Sequence, residues 1–340
     1  MDRLWIRFCN EREKEMNSFF KTCIITMILF TCIFTPALAW WDGVQDVTIF
    51  NSEANLSEEM PVLIDENSPF FETFSESNRL NVLLMGINTN LADTIMLVSY
   101  DMDTDDIYII SIPRDTYYPR PGYNSPGQKK INSSYSTDGP LSLAVAVSDL
   151  LEGIPINCYM KIEYDGVENI VDSMGGVPMN IPFDMKYVDP YDEPPLHIDI
   201  PEGYQVLDGE NAVKFLRYRK GYPEGDIGRI KAQQEFMKSA FKQALGLNII
   251  SVARSVLDNV ESDVDVKTVV SVAKKATNLS SDKIKTYTVP GEARNGDGGL
   301  SFWFADEAQI QQMLTEIYTG VTPVPEGETT ETVEGEASAA

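Results

Sequence analysis

Hydrophobic and polar positions along the chain mark one long patterned region between polar flanks. Short, mostly apolar runs bounded by turn residues predict strands at 80–87, 93–100, 106–112, 159–162, 177–181 and 283–289. Segments with helical spacing predict helices at 141–151, 167–174, 209–216, 230–247, 252–259, 266–278 and 306–318. Because strands and helices do not alternate strictly, we predict an α/β single domain with a mixed central sheet covered by helices on both faces.

The apolar segment 22–39 carries no charge and is about as long as a bilayer core requires, roughly 17–25 helical residues. Basic residues precede it and none follows before Arg79, which predicts a cytoplasmic N-terminus and an exported remainder. The tryptophan pair 40–41 suits a membrane interface. We predict a single-pass signal-anchor, a transmembrane helix in the cell membrane. Translation from Met16 and cleavage after Ala39 would instead make this segment a signal peptide.

Composition divides the rest of the chain. An acidic stretch without a base follows the tryptophans, and the C-terminus is rich in Glu, Thr, Pro and Ala, which is typical of solvated or disordered segments. The predicted parts are a cytoplasmic N-terminus, a signal-anchor, an acidic extracytoplasmic linker, a folded domain and a disordered acidic tail, at 1–21, 22–41, 42–78, 79–319 and 320–340.

The formal net charge is −25 over 340 residues, which argues against nucleic acid as a partner, because duplex binding needs an extended basic face. His197 is the single histidine of the sequence, so a His-rich zinc site or a Ser-His-Asp triad is not expected. Cys158 is the one cysteine of the predicted folded region, which excludes a disulfide framework there.

Clustered cations stand out against this acidic background. They are Lys214, Arg217, Arg219, Lys220, Arg229 and Lys231, with Arg114 and Arg79 elsewhere in the chain. Guanidinium is planar and permanently charged, and it binds phosphate oxygens in pairs. The cluster therefore indicates an anion, with a phosphate as the leading candidate.

Each arginine also has a plainer explanation. Arg114 follows a predicted strand, where α/β sheets place ligands, but it would equally form a structural ion pair with Asp115. Arg217 and Arg219 would point to one face if their backbone is extended. Alternatively, they would be solvated basic residues at the C-terminus of a helix, where positive charge is favourable.

Three further residues are candidates. Arg229 and Gln233 are four residues apart and share a helix face, although Asp226 as N-cap and a polar surface would explain the same pattern. Asp93 follows the predicted loop 88–92, where a carboxylate would ligate Mg²⁺ together with phosphate oxygens, or would serve as an ordinary turn residue.

Taken in order, these segments resemble the LytR–CpsA–Psr family of cell-wall phosphotransferases. The resemblance is carried by NVLLMGI at 81–87, ADTIML at 92–97, SIPRD at 111–115, KIN at 130–132, VDSMGGV at 171–177, LDGENA at 207–212, RYRK at 217–220, GDIGR at 225–229 and QQ at 233–234. Any one block is a weak signal, whereas the whole series in this order is specific.

The resemblance implies an extracytoplasmic, membrane-anchored transferase. Such an enzyme moves a glycopolymer, for example teichoic acid or capsular polysaccharide, from a polyprenyl-pyrophosphate carrier to peptidoglycan and leaves a phosphodiester. The residues it implies for the pyrophosphate are Arg114, Arg217, Arg219, Arg229 and Gln233. It further implies Asp93 as a ligand of Mg²⁺ or Mn²⁺, and Asp226 as a general base or as an orienter of the arginines, with Arg114 and Arg229 in catalysis.

The first loop departs from the family pattern. Asn88 stands where the family usually has an aspartate, and Leu91 and Ala92 stand where an arginine is expected. Asn88 keeps a carbonyl oxygen for a metal but loses one negative charge. Three alternatives therefore stay open: a glycopolymer transferase, a pyrophosphatase that uses water, and a non-catalytic binding protein for polyprenyl phosphate or wall polymer.

Overall fold

The computed structural model describes residues 67–192, 195–247, 249–264, 269 and 281–321. The predicted signal-anchor, most of the linker and tail, and all but one residue of the predicted helix 266–278 lie outside the described residues. Within the described part of the chain, the helices are too short or too polar to cross a bilayer.

The elements follow one another without strict alternation. The helices are α1 Phe71–Glu76, α2 Tyr135–Leu150, α3 Tyr164–Ser173, α4 Gly209–Arg217, α5 Asp226–Leu245, α6 Ile249–Asn259 and α7 Glu307–Thr319. The strands are β1 Arg79–Asn88, β2 Leu91–Asp101, β3 Ile107–Ser111, β4 Cys158–Ile162, β5 Val177–Ile181, β6 Met185–Asp189, β7 Leu196–Ile200, β8 Gly203–Leu207, β9 Glu261–Ser262, β10 Ile284–Thr288, β11 Gly291–Asn295 and β12 Ser301–Ala305.

The sequence pattern correctly predicted β1 to β5, β10 and helices α2 to α7, with ends shifted by a few positions. It missed helix α1, which lies in the predicted linker, and strands β6 to β9, β11 and β12. Most of these are five-residue strands in two-stranded pairs with several exposed positions, so their apolar alternation is weak.

The central sheet is mixed, with the order β10-β3-β2-β1-β4-β9. Strands β1, β3, β4 and β10 run parallel to one another, and β2 and β9 run the opposite way. The carboxyl ends of the four parallel strands therefore meet at one edge, together with the start of β2. This edge is where open sheets of this kind bind ligands.

Alternate side chains of the strands point to opposite faces of the sheet. On one face, Leu97 belongs to a buried cluster with Leu143 of α2 and Leu314 of α7. On the other face, Val98 belongs to a cluster against which Met237 of α5 packs. Helices therefore pack on both faces. A third cluster joins α3, α4 and α5 to β5–β8, and it holds the two helices that carry the predicted arginines.

Candidate anion-binding site

Asp93 lies at a bulge between β1 and β2. The register pairs Gly86 with Thr94 and then Ile87 with Ala92, so Asp93 is the extra residue without a partner across the ladder. A bulge bends its strand and re-aims the side chain of the extra residue. This places the Asp93 carboxylate at the carboxyl edge of the sheet.

The predicted loop 88–92 is a tight hairpin turn in the structure. Asn88 pairs with Leu91 across the ladder, and Thr89 takes a positive φ of 60° between them. Asn88 Nδ2 donates to Asp93 Oδ2 at 3.2 Å. The hairpin therefore holds the two predicted metal ligands side by side.

Two arginines bind the two oxygens of Asp93. Arg114 Nη1 donates to Oδ1 at 2.5 Å, and Arg219 Nη2 donates to Oδ2 at 2.7 Å. Burial raises the pKa of Asp93, but the charges of Arg219 and Arg114 outweigh burial and hold that pKa below its ordinary value. Asp93 is therefore a firmly ionised carboxylate that joins arginines 105 positions apart in sequence, from 114 to 219.

Arg217 is linked to Asp93 and Arg219 through Tyr164. Its Nη2 donates to Asp192 Oδ2 at 2.7 Å, and its guanidinium lies 4.7 Å from the Tyr164 ring centroid. Burial and the charge of Asp93 raise the pKa of Tyr164, against the charges of Arg217 and Arg219. The expectation of an extended backbone under both arginines was wrong, because α4 continues through Arg217; the two side chains nevertheless reach one site.

Arg229 enters the site from the first turn of α5. The N-cap is Gly225, with a positive φ of 61°, and Asp226 is the first helical residue, so the prediction of Asp226 as N-cap was wrong. The Asp226 carboxylate instead forms an ion pair with Arg229, with Oδ1 2.8 Å from Nη2. A side chain at Gly228 would meet Tyr222 Cβ at 2.8 Å, so glycine there lets Tyr222 pack against the helix start.

Arg229 is only 4% exposed, and the burial of its charge is electrostatically unfavourable. Burial lowers its pKa, and the charges of Arg114 and Arg219 lower it further, against the opposing effects of Asp226 and Asp93. Arginine stays protonated even so. Its Nε is buried without a hydrogen-bond partner among the described residues, and the same holds for Arg114 Nε. These buried donors would be satisfied by an anion.

The prediction that Gln233 shares a face with Arg229 is confirmed. Both are buried and both line the same cavity. Gln233 Nε2 donates to Thr94 Oγ1 at 3.3 Å. The next residue, Gln234, donates to Ser111 Oγ at 2.9 Å, which ties α5 to the end of β3.

An apolar cavity of about 440 Å³ opens from the arginines and runs between the sheet and helices α3, α5 and α6. Its charged lining residues gather at the carboxyl edge, and they are Asp93, Glu163, Arg217, Arg219 and Arg229, with Thr94, Tyr164 and Gln233 beside them. From there, side chains of β1 and β2 line it as far back as Leu80 and Tyr100. Leu80 is six positions from Gly86 along β1, a length of roughly 20 Å.

Oxygen ligands for a divalent cation are few at this site. Within the described ranges, no group of three or more His, Cys, Asp or Glu side chains could hold a metal ion. Asp93 supplies one carboxylate, and Asn88 supplies a carbonyl oxygen beside it. Mg²⁺ commonly binds one or two carboxylates together with substrate phosphates, so this donor set fits the ion only when phosphate oxygens complete it.

Other basic residues of the sequence cluster lie elsewhere. Arg79 donates to Asp101 at 2.7 Å and to the carbonyl oxygen of Ile317 at 2.8 Å, which fixes β1 to α7. Lys214 and Lys231 each pair with a nearby glutamate. These cations are accounted for by structural ion pairs.

Sequence reasoning missed Tyr164 and Asp192. Tyr164 lies two residues after the end of β4, a strand parallel to β1, so its position after a strand end was an available signal. Asp192 follows β6, which was not predicted, and its contact with Arg217 depends on tertiary packing.

A comparison with protein-family models matches residues 47–319 to the LytR_cpsA_psr family. The chain belongs to this family. One relative of this LytR–CpsA–Psr protein is "Polyisoprenyl-teichoic acid--peptidoglycan teichoic acid transferase TagU" of Oceanobacillus iheyensis. The two sequences are 27% identical over 272 residues, which cover 74% of this chain and 79% of the relative. The chain is also 27% identical to "Biofilm regulatory protein A" of Streptococcus mutans, over 67% of this chain and 60% of that protein.

Solved structures of this family share the fold. TagV of B. subtilis superposes with a TM-score of 0.60 at 24% identity, covering 72% of this chain and 98% of TagV. TagT bound to LIIa-WTA superposes with a TM-score of 0.61 at 20% identity, covering 77% of this chain and 97% of TagT. The mixed sheet with its helices is therefore the fold of the family.

Proposed function

We propose that this protein transfers an anionic glycopolymer from a polyprenyl-pyrophosphate carrier to peptidoglycan. One observation carries the proposal: buried and half-buried arginines surround the mouth of an apolar cavity. A polyprenyl pyrophosphate has the matching shape, with a diphosphate joined to a long hydrocarbon. The arginines would bind the diphosphate, and the cavity would hold the first part of the lipid.

The relatives support the same substrates. The O. iheyensis protein is named as a polyisoprenyl-teichoic acid–peptidoglycan teichoic acid transferase, and the fold is shared with TagT bound to LIIa-WTA. Teichoic acid is therefore the first polymer to test. Capsular and other anionic glycans present the same diphosphate and remain candidates.

In the proposed reaction, a peptidoglycan hydroxyl attacks the phosphorus that bears the glycan. The new P–O bond forms the phosphodiester, the bond to the second phosphate breaks, and polyprenyl phosphate leaves while the hydroxyl loses its proton. Arg114, Arg217, Arg219 and Arg229 would stabilise the charge that spreads over the phosphoryl oxygens. The ion pair of Asp226 with Arg229 favours Asp226 as an orienting residue over a general base.

A divalent cation belongs to the proposal. Asp93, with Asn88 beside it, would hold Mg²⁺ or Mn²⁺ once the diphosphate supplies further oxygens. The ion would add positive charge against the phosphates. Arg114 and Arg219 would then exchange part of their contact with Asp93 for contact with the substrate.

The proposed location is the outer face of the cell membrane. The charge asymmetry around the segment 22–41 supports a signal-anchor there. An anchored domain would meet a lipid-borne donor at the bilayer and the cell wall on the other side.

The test is a reconstitution. The full-length chain is incubated with lipid-linked teichoic acid, Mg²⁺ and peptidoglycan oligomers, and the products are identified by mass spectrometry. We expect a phosphodiester-linked conjugate and free polyprenyl phosphate, and Arg114→Ala or Arg219→Ala should abolish both. Hydrolysis without a conjugate would identify a pyrophosphatase, and lipid retention without any product would identify a binding protein.

A further inference from the structure

Arg114 lies at the boundary between two surfaces. Toward the cavity it binds Asp93, yet it is not among the residues that line the cavity. Arg114 Nε also lies 3.8 Å from Asp115 Oδ1, and the same oxygen forms an ion pair with Lys130 Nζ at 3.1 Å. Arg114, Asp115 and Lys130 therefore form a row of alternating charges. This row extends from the arginine cluster to residues that do not line the cavity.

The segment after Arg114 is bound to β12. Trp303 N donates to the carbonyl oxygen of Asp115 at 2.9 Å, and Tyr117 N donates to the carbonyl oxygen of Trp303 at 2.8 Å. These backbone bonds continue the pairing of β12 with β11. The hairpin β11–β12 is thus bound to the backbone that directly follows Arg114, beginning at Asp115.

Tyr117 and two side chains of this hairpin form a stack whose outermost member is exposed to solvent. The Tyr117 and Phe304 rings are stacked with centroids 5.0 Å apart, and the Arg294 guanidinium lies 4.2 Å from the Phe304 centroid. Glu292 Oε1 forms an ion pair with Arg294 Nε at 3.0 Å. The side chains of Arg294 and Glu292 are 56% and 68% exposed. The ring and the carboxylate hold the guanidinium in one orientation while its other N–H groups face water.

We propose that the β11–β12 face, defined as Tyr117, Lys130, Glu292, Arg294 and Phe304, binds the peptidoglycan acceptor. This inference rests on the proposed function. A transfer needs two substrates, and the lipid-linked donor would occupy the cavity on the far side of Asp93. The acceptor must reach the phosphorus from the side of Arg114 that faces away from the cavity.

The chemistry of the face suits this occupant. Peptidoglycan carries carboxylates on its stem peptides and ring hydroxyls on its glycan. Arg294 offers a fixed donor fork for a carboxylate, and Glu292 accepts from hydroxyls. Lys130 is the second cation of this face, with its ammonium 5.5 Å from the centroid of the Phe302 ring and 3.1 Å from Asp115 Oδ1. Cations on an otherwise acidic protein complement an anionic acceptor.

The test compares Arg294→Ala and Phe304→Leu with the control Arg254→Ala, an exposed arginine on α6 that does not line the cavity. Ligation is measured at saturating lipid-linked donor while the concentration of peptidoglycan oligomers is varied. We expect the acceptor KM to rise about two- to fivefold for Arg294→Ala, the range for the loss of one exposed charged contact. The donor affinity, the melting temperature and the control variant should be unchanged.

Calorimetric titration of peptidoglycan oligomers into the same proteins tests the site even if the wild type transfers nothing. A lower affinity for Arg294→Ala alone then supports the face as a glycan site and locates the failure in the proposed reaction. Equal affinity and equal acceptor KM for wild type and Arg294→Ala would overturn the inference. Because Arg294 is exposed, its removal leaves the fold intact, so a folding defect in Phe304→Leu does not affect this outcome.

Discussion

The variant Arg229→Met separates the effect of Arg229 on the stability of the fold from its effect on the affinity for an anion. Arg229 is nearly fully buried, it lies near two other guanidinium groups, and its Nε has no hydrogen-bond partner among the described residues. Its carboxylate partner, Asp226, is 43% exposed and is hydrated when the arginine is removed. Methionine keeps much of the length and volume without the charge. Removal of one member of an ion pair destabilises a protein when the other charge stays buried, but Asp226 keeps its access to water, so this penalty is avoided while the cost of burying Arg229 is removed.

We therefore expect the melting temperature of Arg229→Met to stay constant or to rise, by about 2–4 °C for each kcal/mol in a domain of this size. Binding should move the opposite way. A hydrogen bond to a charged group contributes about 1.5–3 kcal/mol, so the affinity for inorganic pyrophosphate should fall roughly tenfold to more than a hundredfold.

Differential scanning fluorimetry and calorimetric titration with pyrophosphate measure the two effects, and the exposed Arg254→Met serves as the control. A melting temperature several degrees below that of the wild type would mean that Arg229 stabilises the fold. An unchanged affinity would remove Arg229 from the anion site.

Three further variants test neighbouring features of the site. In Asp93→Asn, the lost carboxylate has a lowered pKa, so its stabilisation is complete above the unfolded value of about 3.9 and disappears as the pH falls through the folded-state pKa. The melting-temperature difference from wild type should stay constant from pH 7 to about 4 and shrink below; a difference that shrinks already near pH 6 contradicts this assignment. Ala240→Phe, in the cavity wall, should weaken polyprenyl-pyrophosphate binding and spare inorganic pyrophosphate, whereas equal losses for both ligands would argue against a lipid cavity. Asn88→Asp should increase the dependence of transfer on Mg²⁺, measured by titrating the metal, and an unaltered titration curve would exclude Asn88 from the metal site.

Much of the candidate site was predictable because its residues stand at ends of predicted elements. Arg114 follows β3, and Arg229 and Gln233 are four apart at the start of a long helix. Periodicity finds such elements, and the ends of parallel strands tend to meet. The sequence could not reveal that Asp93 sits at a bulge, since a bulge depends on the register between two strands. Asp192 was likewise beyond prediction, because only packing brings it to Arg217.

The sequence by itself determined the class of ligand, because guanidinium groups that cluster on a strongly acidic protein favour an anion. It also determined the main strands and helices, through the spacing of apolar residues. Only the tertiary structure decided that Arg114, Arg219 and Arg229 surround one carboxylate at the mouth of an apolar cavity, while Arg79 braces β1 against α7. The reason is physical: the charge of a side chain is local, but its partners depend on how distant strands and helices pack.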